Sequence, residues 1–331
     1  MTSASESAAR GGIDLGGTKV QCAVLDAGHA VLGQSRHPTP TEGGPQDVAD
    51  TIVAAMREAA AQAGLETSAL AGVGVGSPGD VDAERGTVSS ALNLPGWAGE
   101  FALGEALERE LGAPAMLGND VQVATDAEAE LGAGRRYRSL LGVFWGTGVG
   151  GGIVLDGRPW VGRGVGGEIG HIVVRIDGAR CGCGRRGCME AYAGRASMER
   201  RARQLKEKGS KTELFKIMEQ RGRERLTSGV WERALRRGDR VATRLVDEAI
   251  EALGAGVASV QNVLDVEAII IGGGLGIRLG EPYVERIREA MMPHLFDDQN
   301  PPDVRLAELG DLGGAIGASL LVTRERAAVA T

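Results

Sequence analysis

Residues 12–33 read GIDLGGTKVQCAVLDAGHAVLG, and residues 140–162 read LLGVFWGTGVGGGIVLDGRPWVG. Each is an extended apolar run, a glycine turn, a second apolar run, a tight turn and a third extended run, the signature of consecutive β-strands. A shift of 130 residues places Gly16 on Gly146 and Val24-Leu25-Asp26 on Val154-Leu155-Asp156. Self-similarity at that separation predicts two related halves, each presenting a glycine turn, and two matching turns can face one ligand.

Outward from these stretches, helices and strands alternate. Val48, Ile52, Ala55, Met56 and Ala59 fall at helical spacing, so 46–63 is predicted as an amphipathic helix ended by Gly64. The apolar run LAGVGVGSPGDVD is a strand broken into a loop at Ser77-Pro78-Gly79, and NLPGWAGE at 93–100 is a second turn-rich stretch. A helix over 103–111, the strand AMLGND and a helix over 121–132 come next. Helices dominate 188–264 with a break at Gly209-Ser210. The strand VEAIIIGGG, a helix over 281–292, the strand DVRLAEL and a last helix from 313 close the chain. This alternation, with a helical insertion between the halves, is an α/β architecture of two lobes around a cleft.

At 331 residues the chain is long enough for two domains, and its net charge of −7 comes without a basic block. Lysines and arginines are interspersed with acids, which argues against a nucleic-acid surface. No window reaches the apolar length of a membrane span, and MTSASESAAR lacks the basic start and apolar core of a secretory signal, so a cytoplasmic protein with a disordered tail over 1–10 is expected.

Three of the four cysteines, Cys181, Cys183 and Cys188, lie in the glycine-rich run CGCGRRGC, with His171 ten residues upstream of the first. Three thiolates and one imidazole supply a tetrahedral Zn²⁺ site, and Gly182, Gly184 and Gly187 let so short a loop aim its sulfurs at one point. An odd local cluster makes a poor disulfide set. Glu168 and Glu190 flank the loop. A zinc-bound His171 of fixed tautomer beside two carboxylates suits a neutral polyol such as a sugar.

The turn DLGGTK at 14–19 offers the backbone N–H groups of Gly16 and Gly17, the hydroxyl of Thr18 and the cation of Lys19 to phosphate oxygens. It is not a Walker A loop, since it joins two strands and reads TK rather than K followed by Ser or Thr. Gly146-Thr147-Gly148 and Gly272-Gly273-Gly274 are two more glycine turns after apolar strands, and the set of three favours a nucleotide cleft. Asp14 ends the first strand, where a carboxylate can hold Mg²⁺ directly or through water. Asn119 or Asp120 can cap the helix that follows them, and a carboxylate there can also deprotonate a substrate hydroxyl.

IDLGGTK, VGSPGDVD, GND, GTGVGGGIV, GEIGH, CGCGRRGCME and IIIGGG occur here in the order of the ROK family of repressors, open-reading-frame proteins and sugar kinases. The chain resembles that family from Gly12 to the last helix, and GEIGH together with CGCGxxGCxE is the specific part of the match. The resemblance implies an actin-like, hexokinase-type (ribonuclease H-like) duplicated fold. It divides the chain into a smaller lobe of 11–119 plus 313–331 and a larger lobe of 120–312 that carries the zinc loop and the insertion. It implies ATP-dependent phosphorylation of glucose, with Asp120 as the base on the 6-hydroxyl and Asn119, Glu168, His171 and Glu190 binding sugar hydroxyls.

Gly79 and Asn93 match loops lining the family's sugar pocket, zinc is structural on His171, Cys181, Cys183 and Cys188, and Mg²⁺ accompanies ATP. Assembly as a homodimer or homotetramer is implied as well. One departure is SPGDVD where many relatives read PGPVD, and the Pro78-Gly79 bend and Asp82 remain.

Three alternatives stay open. The sugar can be fructose, mannose, allose, N-acetylglucosamine or N-acetylmannosamine, because hydroxyl stereochemistry is read by a few hydrogen bonds whose geometry a sequence does not give. The donor can be polyphosphate. A sugar-sensing repressor is disfavoured, because about ten polar residues precede Gly11, too few for a helix-turn-helix domain.

Overall fold

A computed structural model describes residues 9–91 and 93–329. Two compact units divide it. Unit 1 comprises residues 1–135, 159–166 and 309–331, and unit 2 residues 136–158 and 167–308.

In unit 1 the strands β1 (Arg10–Leu15), β2 (Lys19–Leu25) and β3 (Val31–Pro38) precede the helix α1 (Pro45–Gln62). Then come β4 (Val73–Ser77), the short pair β5 (Asp80–Asp82) and β6 (Thr87–Ser89), α2 (Leu103–Leu111), β7 (Ala115–Asn119) and α3 (Asp120–Leu131). The main sheet runs β3-β2-β1-β4-β7, antiparallel among the first three strands and parallel from β1 onward. Val48, Ile52, Ala55, Met56 and Ala59 of α1 are buried, as their spacing requires.

The strand β1 begins inside the segment expected as a tail. Arg10 is only 4% exposed and its Nη2 donates to the Asp26 carbonyl, so tertiary hydrogen bonding recruits a residue whose neighbours give no strand pattern. Residues 1–8 of that expected tail lie outside the described residues.

Unit 2 repeats the plan. It contains β8 (Leu140–Trp145), β9 (Val149–Leu155), the start of β10 (Arg158–Pro159), α4 (Glu190–Ala193), α5 (Arg195–Glu207), α6 (Leu214–Gln220), α7 (Ser228–Arg236) and α8 (Arg240–Leu264). The strand β11 (Ala268–Gly272), α9 (Gly273–Leu279), α10 (Glu281–Met291) and β12 (Asp303–Leu306) complete it. Its sheet runs β10-β9-β8-β11-β12, the same order of hairpin strands followed by parallel strands as in unit 1. The long α8 is capped by Asp239, whose side chain accepts from Ala242 N, and buries a continuous stripe from Val241 to Gln261.

The echo of 130 residues therefore aligns strand with strand, but not pair with pair. Leu15 faces Val20 across the first hairpin, whereas Trp145 faces Val149 across the second. The second turn is one residue shorter, and a one-residue slip exchanges the faces of a strand. A second difference is α9: Gly272–Gly274 was expected as a turn only, yet a helix starts at Gly273. Three glycines within four residues weaken helix propensity and hide the pattern, and burial of Leu275 and Leu279 forms the helix instead.

The last helix, α11 (Gly313–Val329), returns to unit 1. Cβ atoms at Gly12 and Gly74 would run into its backbone at Ala315 and Ala318. Glycine in these two strands serves helix-on-sheet packing, not a ligand. Among the described residues no helix is long and apolar enough to cross a membrane.

Candidate functional site

Unit 2 gathers the thiols. His171 ends a short helical turn over Ile169–His171, and the loop after it is pinned by bridges between Val173 and Cys188 and between Arg180 and Arg186. Of the three glycines thought to bend it, Gly184 and Gly187 have φ of +87° and +79°, while Gly182 does not take positive φ. The donor atoms of His171, Cys181, Cys183 and Cys188 all lie within 4.8 Å of one another.

A tetrahedral ion with Zn–S bonds of about 2.3 Å holds its sulfurs ~3.8 Å apart. Cys183 Sγ and Cys188 Sγ are 3.8 Å apart, as are Cys181 Sγ and His171 Nδ1, and all four cysteines of the chain are free thiols. The spacing is that of a chelate rather than a disulfide. Without a cation, burial pushes the Cys181 thiol up to about 12 and raises Cys188. At Cys183 burial is outweighed by hydrogen bonds, led by the Arg185 backbone, and the pKa is lowered. This cluster can bind a metal.

The neighbouring carboxylates differ. Glu168 is exposed, with Oε2 3.8 Å from His171 Nε2, so the ring's two nitrogens face the sulfurs on one side and this acid on the other. Glu190 is built in: Oε1 lies 3.7 Å from Cys181 Sγ, and Oε2 accepts from Val149 N at 3.0 Å. A Cβ at Gly148 would collide with that same oxygen. The metal loop and the β8–β9 turn thus share one carboxylate.

The turn Gly146-Thr147-Gly148 is further fixed from the start of α5. Arg195 N donates to Gly146 O at 3.1 Å, Ala196 N to Thr147 O at 3.0 Å, and Arg195 Nη2 to Thr147 Oγ1 at 2.7 Å. Gly274 is the neighbour on the other side, its N 3.9 Å from where a Gly146 Cβ would be. Gly273 has φ of +79°, and a Cβ there would sit 2.6 Å from Trp145 O, so this backbone approach requires glycine. Two of the three glycine segments are therefore adjacent, together with Gly272 at the end of β11.

Unit 1 holds the rest. In the β1–β2 turn, Gly16 N donates to Lys19 O at 2.9 Å, and Thr39 braces the loop by donating its hydroxyl to Gly16 O at 2.6 Å and its N–H to Thr18 O at 3.3 Å. Gly17 and Thr18 are exposed at the apex. Asn93 lies against this turn, its carbonyl 2.9 Å from where a Gly17 Cβ would be. Gly79, at φ +89°, folds the end of β4 back onto Ser89.

Burial raises the pKa of Asp14, Lys19 opposes the rise and Asp311 adds to it. Lys19 Nζ is 3.8 Å from Asp311 Oδ1.

Asn119 takes the cap of α3, its side-chain oxygen accepting from Val121 N and Gln122 N at 3.0 Å each. Asp120 follows as the first helical residue, half-buried, with Oδ1 accepting from Val121 N at 2.9 Å. Its Cα is 3.3 Å from where a Gly76 Cβ would be, which sets it at the carboxyl end of β4.

Sequence reasoning missed Thr39, Asp311 and Arg195. Thr39 belongs to no glycine turn, Asp311 opens a second Asp-Leu-Gly-Gly at 311–314 that repeats residues 14–17 and was passed over, and the signal for Arg195 was its place just after the cysteine loop.

Comparison with known proteins covers nearly the whole chain. The pattern of the ROK family matches residues 10–325. A glucokinase of Streptomyces coelicolor is 33% identical over 312 residues, 93% of this chain and 95% of that protein. An N-acetyl-D-glucosamine kinase of Pectobacterium atrosepticum is 32% identical, covering 94% of this chain and 97% of its own length. The structure of a ROK family glucokinase from Streptomyces griseus in complex with glucose and AMPPNP matches with a TM-score of 0.82 at 32% identity, over 96% of this chain and 99% of that one.

Proposed function

We propose, from the premise that this chain belongs to the ROK family, that it transfers the terminal phosphoryl group of ATP to the 6-hydroxyl of glucose. The chain is a sugar kinase on a duplicated, actin-like α/β fold. The observation that carries the choice of glucose is the whole-length likeness to proteins named glucokinase.

Phosphoryl transfer asks little covalent work of a protein; positioning and charge stabilisation supply most of the rate. Asp120 is the general base: its carboxylate takes the 6-hydroxyl proton as that oxygen bonds to phosphorus, and the bond to the ADP oxygen breaks. Asn119 meets the backbone needs of α3, which fixes the register of Asp120 at the strand end. Asn119, Glu168, His171 and Glu190 bind sugar hydroxyls, with Gly79 and Asn93 shaping the loops beside them.

Asp14, Gly16, Gly17, Thr18 and Lys19 with Gly146–Gly148 and Gly272–Gly274 take the nucleotide through turn backbone, hydroxyls and one cation, the N–H groups of Gly16 and Gly146 serving the turns themselves by donating to Lys19 O and Gly148 O. Asp14 would hold Mg²⁺ directly or through water, and the ion neutralises phosphate charge when bound. Zn²⁺ fits His171, Cys181, Cys183 and Cys188 as a structural ion. His171, whose Nδ1 lies on the Cys181 side, would be held in one orientation by such an ion, and its Nε2 stays beside Glu168 for the sugar. The enzyme works in the cytoplasm, where thiols stay reduced and ATP is supplied, as a homodimer or homotetramer.

An assay of ADP release with ATP and Mg²⁺ across a hexose panel tests the reading, scored as kcat/KM. Glucose is expected to lead. The likeness to an N-acetyl-D-glucosamine kinase supports an N-acetylhexosamine as the second reading, and that sugar leading the panel would reassign the substrate while keeping Asp120. No turnover on any sugar would overturn both.

A further inference from the structure

We infer that Arg195 is a positioning residue for the nucleotide, acting through the hydroxyl of Thr147. The inference rests on the reading of Gly146–Gly148 as a nucleotide segment. Arg195 opens α5, its Nη2 donates to Thr147 Oγ1 at 2.7 Å, and its Nη1 donates to Leu226 O at 3.0 Å. Its Nε is buried without a partner among the described residues. Burial, and after it the nearby Arg225, lowers its pKa.

A threonine hydroxyl that accepts from a guanidinium keeps its own hydrogen for another partner, and the charged donor strengthens that outgoing bond. Thr147 is exposed, and its carbonyl is already tied to Ala196 N. Its O–H is therefore held as a donor for an incoming acceptor, and beside the adjacent Gly273-Gly274 backbone that acceptor is an oxygen of a nucleoside triphosphate. Leu226 lies between α6 and α7, so the same side chain ties the helical insertion to the turn. The insertion's connection acts here as a brace that sets one rotamer of one hydroxyl.

Steady-state KM values for ATP and for glucose, measured on Arg195→Met, Arg195→Lys, Thr147→Val, Thr147→Ser and the Arg195→Met/Thr147→Val double variant, test this. Arg195→Met and Thr147→Val are each expected to raise KM for ATP about tenfold with KM for glucose unchanged, the double variant adding nothing beyond either single change. Thr147→Ser, which keeps the hydroxyl, should recover most of the ATP affinity that Thr147→Val loses. Arg195→Lys keeps the charge but not the two-pronged reach, and should stay within about threefold of the methionine variant.

Full rescue by lysine, or an equal rise in both KM values in Arg195→Met, would overturn the positioning role. A raised KM for ATP in Thr147→Val beside an unchanged one in Arg195→Met would remove Arg195 and leave the nucleotide segment standing. An unchanged KM for ATP in an active Thr147→Val enzyme would remove that segment, and the inference with it. Should Arg195→Met not fold, Arg195→Lys against Thr147→Ser decides the question on the same terms.

Discussion

The β1–β2 turn and the β8–β9 turn share one sequence pattern and are held in different ways. The first, Gly16 to Lys19, is braced by Thr39, which follows the next strand of its own sheet. The second, Gly146 to Gly148, is one residue shorter and is held by Glu190, Arg195 and Ala196, all downstream of the cysteine loop. One turn depends on ordinary strand order, and the other on a loop that a metal can lock. The strand plan is common to both units and the supports differ, so a metal held by the cysteine loop of unit 2 would be coupled to its turn through Glu190.

The largest effect is expected where neither support matters. Asp120→Asn should lower kcat by about 10²-fold or more with KM for glucose and Tm nearly unchanged, because it removes a proton acceptor and keeps the shape. Near-wild-type turnover would take Asp120 out of the mechanism.

Next is Cys183→Ser, or chelation of the wild type. Metal content measured by plasma emission should fall to background, Tm should drop by several degrees, and KM should rise for glucose through His171 and for ATP through Glu190. Unchanged metal content in the variant would refute the four-ligand site. A rise in KM for glucose alone would break the proposed link between metal loop and second turn.

Thr39→Ala tests the other support. Losing a hydroxyl bond to Gly16 O should cost about 1 kcal/mol in nucleotide binding, roughly a fivefold rise in KM for ATP, with metal content intact.

The smallest effect concerns Asp14. Its folded pKa is raised, so the native state binds the proton more tightly than the unfolded chain does, and stability falls as pH rises from the unfolded aspartate value of about 3.9 toward the raised one. Asp14→Asn without nucleotide should therefore raise Tm at pH 7, and the gain should vanish near pH 4. A gain independent of pH would assign it to packing.

What the sequence determined alone was whatever depends on neighbours in the chain. Strands and helices followed from the spacing of apolar residues, as in Val48, Ile52, Met56 and Ala59 of α1. Three thiols within one glycine-rich loop limited their reach to a common point, so the cluster with His171 was legible before any fold. The repeat was legible because both hairpins kept their glycine turns.

Tertiary structure decided everything that joins distant residues. It gave Asn119 the cap and left Asp120 at the strand end, where the sequence allowed either to cap. It shortened the second turn by a residue and assigned Gly12 and Gly74 to the packing of α11. It also put Glu190 on Val149 and Arg195 on Thr147, contacts spanning 41 and 48 residues. A hydrogen bond at 2.7 Å depends on where two backbones lie in space, and the periodicity of either segment carries no record of the other.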